Sequence, residues 1–201
     1  ESCIYEEKTP GNPDADFLIC AAEAAEAIRR AKKPIIIAGG GVVYAGASKG
    51  LTTFAERYGI PVVQTLMGLG SIPRSHPLCV GFAGMHGRKA ANNAIAESDV
   101  IIAVGSRFGD RQTGNVVKYM KGTKFIHIDI DPAEIDKNIP SSIGLAGDMK
   151  TILRLLMKPE PLSCTEEWLK HIRHWDEAFA YDYEVDTLTA PWAMHHVALA
   201  T

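Results

Sequence analysis

Short β-branched runs that alternate with helical segments are the feature of this chain that most constrains its fold. Residues 35–38 read Ile-Ile-Ile-Ala between a proline and a glycine, which is typical of a strand buried on both faces. Residues 14–31 place apolar side chains at helical spacing and predict a helix. The alternation continues, with strands predicted at 61–64, 78–80, 100–104, 125–129 and 144–146, and helices at 48–58, 89–97 and from Asp148 onward.

Buried strands separated by amphipathic helices predict an α/β fold: a doubly wound, mostly parallel six-stranded sheet with helices on both faces, which is Rossmann-like. The 201 residues, 46% hydrophobic and 22% charged, suit one well-buried domain. We place that domain at 15–158. Residues 1–14 predict a linker from a preceding domain, and residues 159–201 predict a helical linker and the start of a following one. We therefore expect a piece of a longer protein.

Charge and cysteine content narrow the classes of partner. The formal net charge is −3 and the basic residues are dispersed, which disfavours binding to nucleic acid. No run approaches the length of a membrane-spanning helix, so no membrane partner is predicted. The four cysteines, Cys3, Cys20, Cys79 and Cys164, are widely spaced and form no CxxC pair, which favours reduced thiols and a cytoplasmic location over disulfides or zinc.

A glycine triplet follows the first predicted core strand. Backbone without side chains at Gly39, Gly40 and Gly41 allows a close approach to a phosphate or a ring. A dinucleotide fingerprint for NAD requires a third glycine where Tyr44 stands, and an acidic residue where the next strand ends at Gln64. An ordinary NAD site is therefore disfavoured, whereas a tight turn without any ligand stays open as an alternative.

Unusual loops follow the other strands too. In a doubly wound sheet such loops share one edge, so they predict a long groove for an extended ligand. Carboxylates at the ends of the last strands are suited to accept hydrogen bonds from ribose hydroxyls. The candidate binding residues in these loops are Thr65, Leu66, Gly84, Met85, His86, Gly105, Ser106, Arg107, Asp110, Asp129 and Asp148.

The ordered motifs GGG, TLMGLG, GMHG, RFGDRQTG, HIDIDPAEIDKN and GD, spread over residues 16–158, resemble the central domain of the acetolactate synthase (acetohydroxyacid synthase) family. The resemblance implies FAD in this domain, with thiamine diphosphate and Mg²⁺ held by neighbouring domains that this chain lacks. It implies the FAD pyrophosphate near Gly39–Gly41 and Arg107. It implies the flavin near Thr65, Leu66, Met85 and His86, and the adenosine near Asp129, Ile130, Asp148 and Met149.

The family pattern is not matched everywhere. Gly109 stands where an Asp is usual, and Gln112 stands where a Val is usual, so the contacts of this loop are less well defined by the resemblance. For Arg107, Asp110 and Arg111 a solvated charge network is the alternative role. For His86 the alternative is an ordinary surface or core histidine.

Catalytic and metal-binding residues are not predicted in this chain. The family holds its thiamine diphosphate and Mg²⁺ with Gly-Asp-Gly followed by paired asparagines, whereas neither Gly109-Asp110 nor Gly147-Asp148 continues into glycine. We expect the chain to be inactive alone. The resemblance implies a parent that condenses pyruvate with pyruvate or 2-oxobutyrate, losing CO₂, in branched-chain amino-acid biosynthesis. It also implies a homo-oligomer with a regulatory subunit.

Two related alternatives stay open. Glyoxylate carboligase shares the TLMG, R-F, TG and HID elements; residues 84–87 favour acetolactate synthase, whereas residues 113–119 favour the carboligase. Some thiamine diphosphate enzymes keep this domain without FAD. The Gly39–Gly41 triplet, Thr65 and Arg107 argue against such a loss, and Gly109 leaves it open.

Overall fold

One parallel sheet organises the computed structural model, which describes residues 3–6, 13–114, 119, 122–157, 165–180 and 188–200. Residues 115–118 and the predicted boundary at 158–159 lie outside the described residues. The strands are β1 (Cys3–Glu6), β2 (Pro34–Ala38), β3 (Val62–Gln64), β4 (Cys79–Phe82), β5 (Val100–Val104), β6 (Lys124–Asp129) and β7 (Ile143–Ala146). The predicted α/β class is confirmed. All six predicted strands are present, and β1 adds a seventh, paired with β7, from the segment predicted as a linker.

Helices follow the strands in alternation. They are α1 (Ala15–Arg30), α2 (Gly40–Tyr44), α3 (Ser48–Tyr58), α4 (Lys89–Glu97), α5 (Asp110–Thr113), α6 (Met149–Leu156), α7 (Thr165–Ala178) and α8 (Ala190–Ala200), with short 3-10 turns at Leu66–Gly68 and Pro132–Glu134. The helices α2 and α5 were not predicted, because segments this short carry no readable period. Within the described part of the chain, no helix has both the length and the apolar character needed to cross a bilayer.

Both faces of the sheet are buried. Ile36 and its neighbours on adjacent strands point into a core covered by α1, α3 and α6. Ile35 and Ile37 point to the opposite face, into a second core covered by α4 and α7. Burial of both faces explains why the central strands β2 and β5 are continuous apolar runs rather than alternating ones.

The helix α7, which lies in the segment predicted as a helical linker, packs on this second core. Its Trp168 is 3% exposed and its indole Nε1 donates a hydrogen bond to the Pro34 carbonyl oxygen at 3.0 Å. Arg88, at the N-terminal end of α4, forms an ion pair with Asp176 of α7. A part of the segment beyond residue 158 is therefore attached to the domain.

The strand order β1-β7-β6-β5-β2-β3-β4 places a topological switch between β2 and β5. The chain winds from β2 through β3 to β4 and then crosses to β5 on the other side of β2. The Gly39 amide donates to the Val104 carbonyl oxygen at 2.9 Å, and the Gly105 amide donates to the Ile128 carbonyl oxygen at 2.8 Å. These hydrogen bonds hold the starts of the loops after β2 and β5 at the topological switch, which is where doubly wound folds form a ligand-binding crevice.

A buried histidine lies beneath the loop that follows β5. His127, on β6, is 1% exposed and packs edge-on against Phe108 and Phe125. Its Nε2 lies 2.9 Å from the Ser106 carbonyl oxygen and donates to it, whereas Nδ1 has no hydrogen-bond partner among the described residues. Burial lowers the pKa of His127 below the ordinary value of 6.5, despite the bond to Ser106 and nearby carboxylates. The imidazole is therefore neutral at pH 7.

This histidine makes stability depend on pH. Below pH 6.5 the unfolded chain binds a proton at His127 that the folded chain does not, so the free energy of unfolding falls as pH is lowered from 6.5 towards the folded pKa. The slope contributed is at most about 1.4 kcal/mol per pH unit. Urea unfolding of His127→Gln between pH 7.5 and 5 is expected to lack this component. His174→Gln, at an exposed position on α7, is the control and should retain it; an unchanged slope in His127→Gln would contradict the assignment.

Candidate functional site

A groove runs along the carboxyl edge of the sheet, with a cavity volume of about 1180 Å³. The predicted site residues that line it are Gly40, Gly41, Thr65, Leu66, Met85, His86, Gly105, Ser106, Arg107, Asp110, Asp129, Ile130, Asp148 and Met149. Gly39 and Gly84 are not among the lining residues. The structure therefore brings together the loops that follow β2 to β7, as the shared-edge prediction requires.

The middle of the groove is a contact between two glycine-containing loops. The Gly41 amide donates to the Gly105 carbonyl oxygen at 3.1 Å, and a Cβ atom at Gly41 would lie 2.8 Å from the Gly105 Cα atom. A Cβ atom at Gly39 would lie 2.0 Å from the Gly105 oxygen. Gly39 and Gly41 are therefore both required by packing between loops, and Gly40 and Gly41 are the members of the triplet that line the groove.

Gly84 is also required for packing between loops, and it does not line the groove. Its backbone φ is +121°, and a Cβ atom there would lie 3.1 Å from the Arg111 carbonyl oxygen. The Asn92 side chain bonds to both its amide, at 2.9 Å, and its carbonyl oxygen, at 3.0 Å. The Met85 amide donates to the Arg111 carbonyl oxygen at 3.0 Å, so the loops after β4 and β5 are joined directly.

Two arginines supply positive charge near the centre of the groove. Arg107 and Arg111 are exposed and line the cavity, and neither guanidinium makes an ion pair with any carboxylate of the described residues. Asp110 accepts a bond from the Arg111 backbone amide at 2.8 Å rather than from its side chain. The two cations are thus not used in a charge network within the loop, and they are available to an anion.

Carboxylates line the end of the groove next to β6 and β7. Asp129 is 8% exposed and accepts a bond from the Asp131 amide at 3.1 Å. Asp148 caps α6, accepting from the Thr151 amide at 2.9 Å and the Thr151 hydroxyl at 2.7 Å. Burial raises the pKa of Asp148, but these bonds and one from the Lys150 amide outweigh it and hold the pKa below its ordinary value. Asp148 therefore has a helix-capping role in addition to its place at the groove.

Exposed apolar side chains dominate the opposite end, beside β3 and β4. Leu66, Met67 and Met85 are each more than 60% exposed although they line the cavity. Exposed large apolar groups around a groove mark a surface suited to an apolar partner. His86 lies exposed beside them. Thr65 accepts a bond from the Gly68 amide at 3.1 Å and thereby starts the 3-10 turn that carries Leu66 and Met67.

The two departures from the family pattern differ in their surroundings. Gly109 has φ −65° and no atom within 4 Å of a built Cβ, so its backbone and surroundings accept other residues. The Gln112 Oε1 atom accepts from the Ser106 hydroxyl at 3.3 Å. Its Nε2 atom is buried and has no hydrogen-bond partner within the described ranges.

Several lining residues were not predicted. Most of them lie in the same loops as predicted ones, and Tyr44 and Ala45 lie at the end of α2, which carries no sequence signal of its own. They are Tyr44, Ala45, Met67, Phe82, Ala83, Phe108, Gly109, Arg111, Gln112, Asp131 and Glu134. The part of the chain that the structure describes contains no group of three or more His, Cys, Asp or Glu side chains placed to hold a metal ion.

Comparison with known proteins identifies relatives of this chain. A probable acetolactate synthase large subunit of Methanocaldococcus jannaschii is 44% identical over 190 residues, which are 93% of this chain and 30% of that protein. The acetolactate synthase large subunit of Corynebacterium glutamicum is 43% identical over 84% of this chain and 28% of its own length. That of Lactococcus lactis is 46% identical over 76% of this chain and 27% of its own length. The chain thus spans less than a third of these relatives.

The family described as thiamine pyrophosphate enzyme, central domain, matches residues 21–156. That stretch contains every strand from β2 to β7 and the whole wall of the groove. Because the match covers most of the chain and the whole switch-point sheet, the chain belongs to the central-domain family of thiamine pyrophosphate enzymes.

Proposed function

We propose that this chain binds FAD in the groove and serves as the flavin-binding central domain of an acetolactate synthase. The observation that carries the proposal is the order of chemistry along the carboxyl edge of the sheet. Carboxylates follow β6 and β7, arginines and glycines follow β5 and β2, and apolar side chains follow β3 and β4. FAD has the same order: ribose hydroxyls at its adenosine end, a pyrophosphate in the middle and a flat ring system at the other end.

The dimensions of the edge support an extended ligand. The loops from β7 to β4 cover five inter-strand spacings, or about 24 Å at the usual strand separation. A mononucleotide covers only part of such a groove. A dinucleotide uses its whole length, with the pyrophosphate over the switch point, where doubly wound sheets bind their ligands.

The central arginines fit a dianionic pyrophosphate. A guanidinium group without an internal partner loses no ion pair when it binds an anion, and it offers paired N–H donors to phosphate oxygens. Arg107 and Arg111 meet this condition among the described residues. Gly40 and Gly41 line the same groove and add no side chain to it.

The two ends of the groove fit the remaining parts of FAD. At one end the Asp129 carboxylate is suited to accept hydrogen bonds from ribose hydroxyls, and Asp131 and Glu134 also line the groove. At the other end Leu66 and Met85 present large apolar surfaces to a ring, and thioether contacts with aromatic systems are favourable. These residues would hold the flavin in a largely structural role, which the family resemblance implies.

The intact parent is proposed to be an acetolactate synthase that condenses two 2-oxo acids with loss of CO₂. The names of the three relatives support this proposal, and thiamine diphosphate with Mg²⁺ would be bound by domains outside this chain. The words "large subunit" in those names support a second, regulatory kind of subunit in an oligomer. Cys20 and Cys79 are not joined in a disulfide, and reduced thiols support a cytoplasmic location.

Removal of the Arg107 side chain tests the flavin site. We expect the purified chain to quench flavin fluorescence when FAD is titrated, and Arg107→Ala to raise the Kd about 10- to 100-fold, because a charge-assisted contact to phosphate is lost. Arg173→Ala, which removes an exposed arginine of α7 that does not line the groove, is the matched control and should leave the Kd unchanged. Equal Kd values for Arg107→Ala and the unaltered chain would refute the proposed pyrophosphate contact.

The orientation of FAD is tested at the end of the groove that carries the carboxylates. Asp129→Asn keeps the shape of the side chain but weakens the hydrogen bonds that it accepts from the ribose hydroxyls. The Kd for FAD should therefore rise about fivefold. The Kd for FMN, which lacks the adenosine, should not change. Asp16→Asn on the exposed start of α1 is the control. Equal losses for FAD and FMN would place Asp129 away from the adenosine end.

The activity of the parent requires the longer protein. We expect the protein that contains this chain with its flanking domains to form acetolactate from pyruvate when thiamine diphosphate and Mg²⁺ are supplied, and the chain alone to form none. Colorimetric detection of acetoin after acid decarboxylation measures the product. Condensation of glyoxylate without any acetolactate would instead identify a glyoxylate carboligase.

A further inference from the structure

We propose, on the basis of the flavin site proposed above, that Asn138 is a positioning residue that holds the backbone of Arg107 so that its guanidinium faces the groove. Asn138 is the last residue of the HIDIDPAEIDKN motif, and the proposed contacts with FAD leave it without a role. It does not line the cavity. Any effect on the ligand must therefore pass through another residue.

The contact between the two loops is specific. The Asn138 Nδ2 atom donates to the Arg107 carbonyl oxygen at 2.7 Å, across 31 residues of sequence. The preceding carbonyl oxygen, that of Ser106, accepts from His127 Nε2 at 2.9 Å. The two peptide groups that flank the Arg107 Cα atom are thus each held by a hydrogen bond from a side chain, one on β6 and one in the segment that follows β6. The direction of the arginine side chain is then determined by its own rotamer.

The residue after Arg107 shows why such fixation is needed. Phe108 has φ 51°, in the left-handed region that bulky L-residues rarely adopt. Its ring is 3% exposed and packs against Phe125 and His127. The loop therefore turns sharply at Phe108, and without the two hydrogen bonds the turn and the adjoining Arg107 backbone could relax towards an unstrained conformation.

The segment that carries Asn138 is itself rigid. Ile135 and Ile139, on either side, are 7% and 1% exposed and anchor the segment in the protein. Between them Asp136 has φ 62°, and its Oδ1 atom accepts from both the amide and the hydroxyl of Ser141, each at 2.6 Å. Asn138 itself is exposed, so its replacement removes the hydrogen bond without opening the core.

A double-mutant cycle with FAD as the probe tests the proposal. Asn138→Ala in the full chain should raise the Kd for FAD about tenfold while leaving the thermal midpoint of unfolding unchanged. In the Arg107→Ala background the same substitution should change the Kd by less than about twofold, because the group that it positions is absent. Asn93→Ala, the same chemical change on α4, is the matched control and should leave both quantities unchanged.

The outcomes separate this proposal from the flavin site on which it rests. If Asn138→Ala weakens FAD binding by the same factor with and without Arg107, or does not weaken it at all while Arg107→Ala does, the positioning role is wrong and the flavin site stands. If the chain does not bind FAD, or if Arg107→Ala binds it as tightly as the unaltered chain, the pyrophosphate site fails and the positioning role fails with it.

Discussion

The backbone contact between Gly41 and Gly105 sets the geometry of the whole groove. The loops after β2 and β5 leave the sheet side by side at the topological switch, and they approach so closely that neither glycine has room for a methyl group facing the other. Because these loops are fixed against each other, the segment that carries Arg107 begins at a defined point. The loop after β4 and the segment after β6 are in turn hydrogen-bonded to the loop after β5, at the Arg111 and Arg107 carbonyl oxygens.

The fold was predictable because the alternation of short apolar runs with helical segments is repeated along the chain. The central strands β2 and β5 are continuous apolar runs, as a sheet covered on both faces requires. The elements that could not be predicted from the sequence are short or depend on contacts with residues far away in the chain. The strand Cys3–Glu6 is four residues long and is stabilised by pairing with β7, and α2 spans little more than one turn. The burial of Trp168 depends on the Pro34 carbonyl oxygen, 134 residues away, which no local pattern reveals.

The site was predictable as a set of loops, but the roles within it were not. Thr65 and Asp148 have oxygen atoms that start a turn and a helix, and Gly39 accommodates a neighbouring loop. By contrast, Arg107 and Leu66 have side chains that face the groove and are not required by the fold. A motif combines both kinds of residue, because a loop must be shaped before it can bind. Sequence shows the motif, whereas only the internal hydrogen bonds distinguish the residues that shape the loop from those that are free to bind.

The strand β1 has a consequence for the order in which the molecule assembles. Ile4 pairs with Gly144, so this edge of the sheet joins parts of the chain that are 140 residues apart. Closing so long a loop has a large entropic cost, and a four-residue edge strand offers few hydrogen bonds in return. This edge is therefore suited to close last in folding and to open first in the native protein. The acidic end of the groove, beside β7, lies next to this border of the sheet, and the apolar end beside β4 lies far from it.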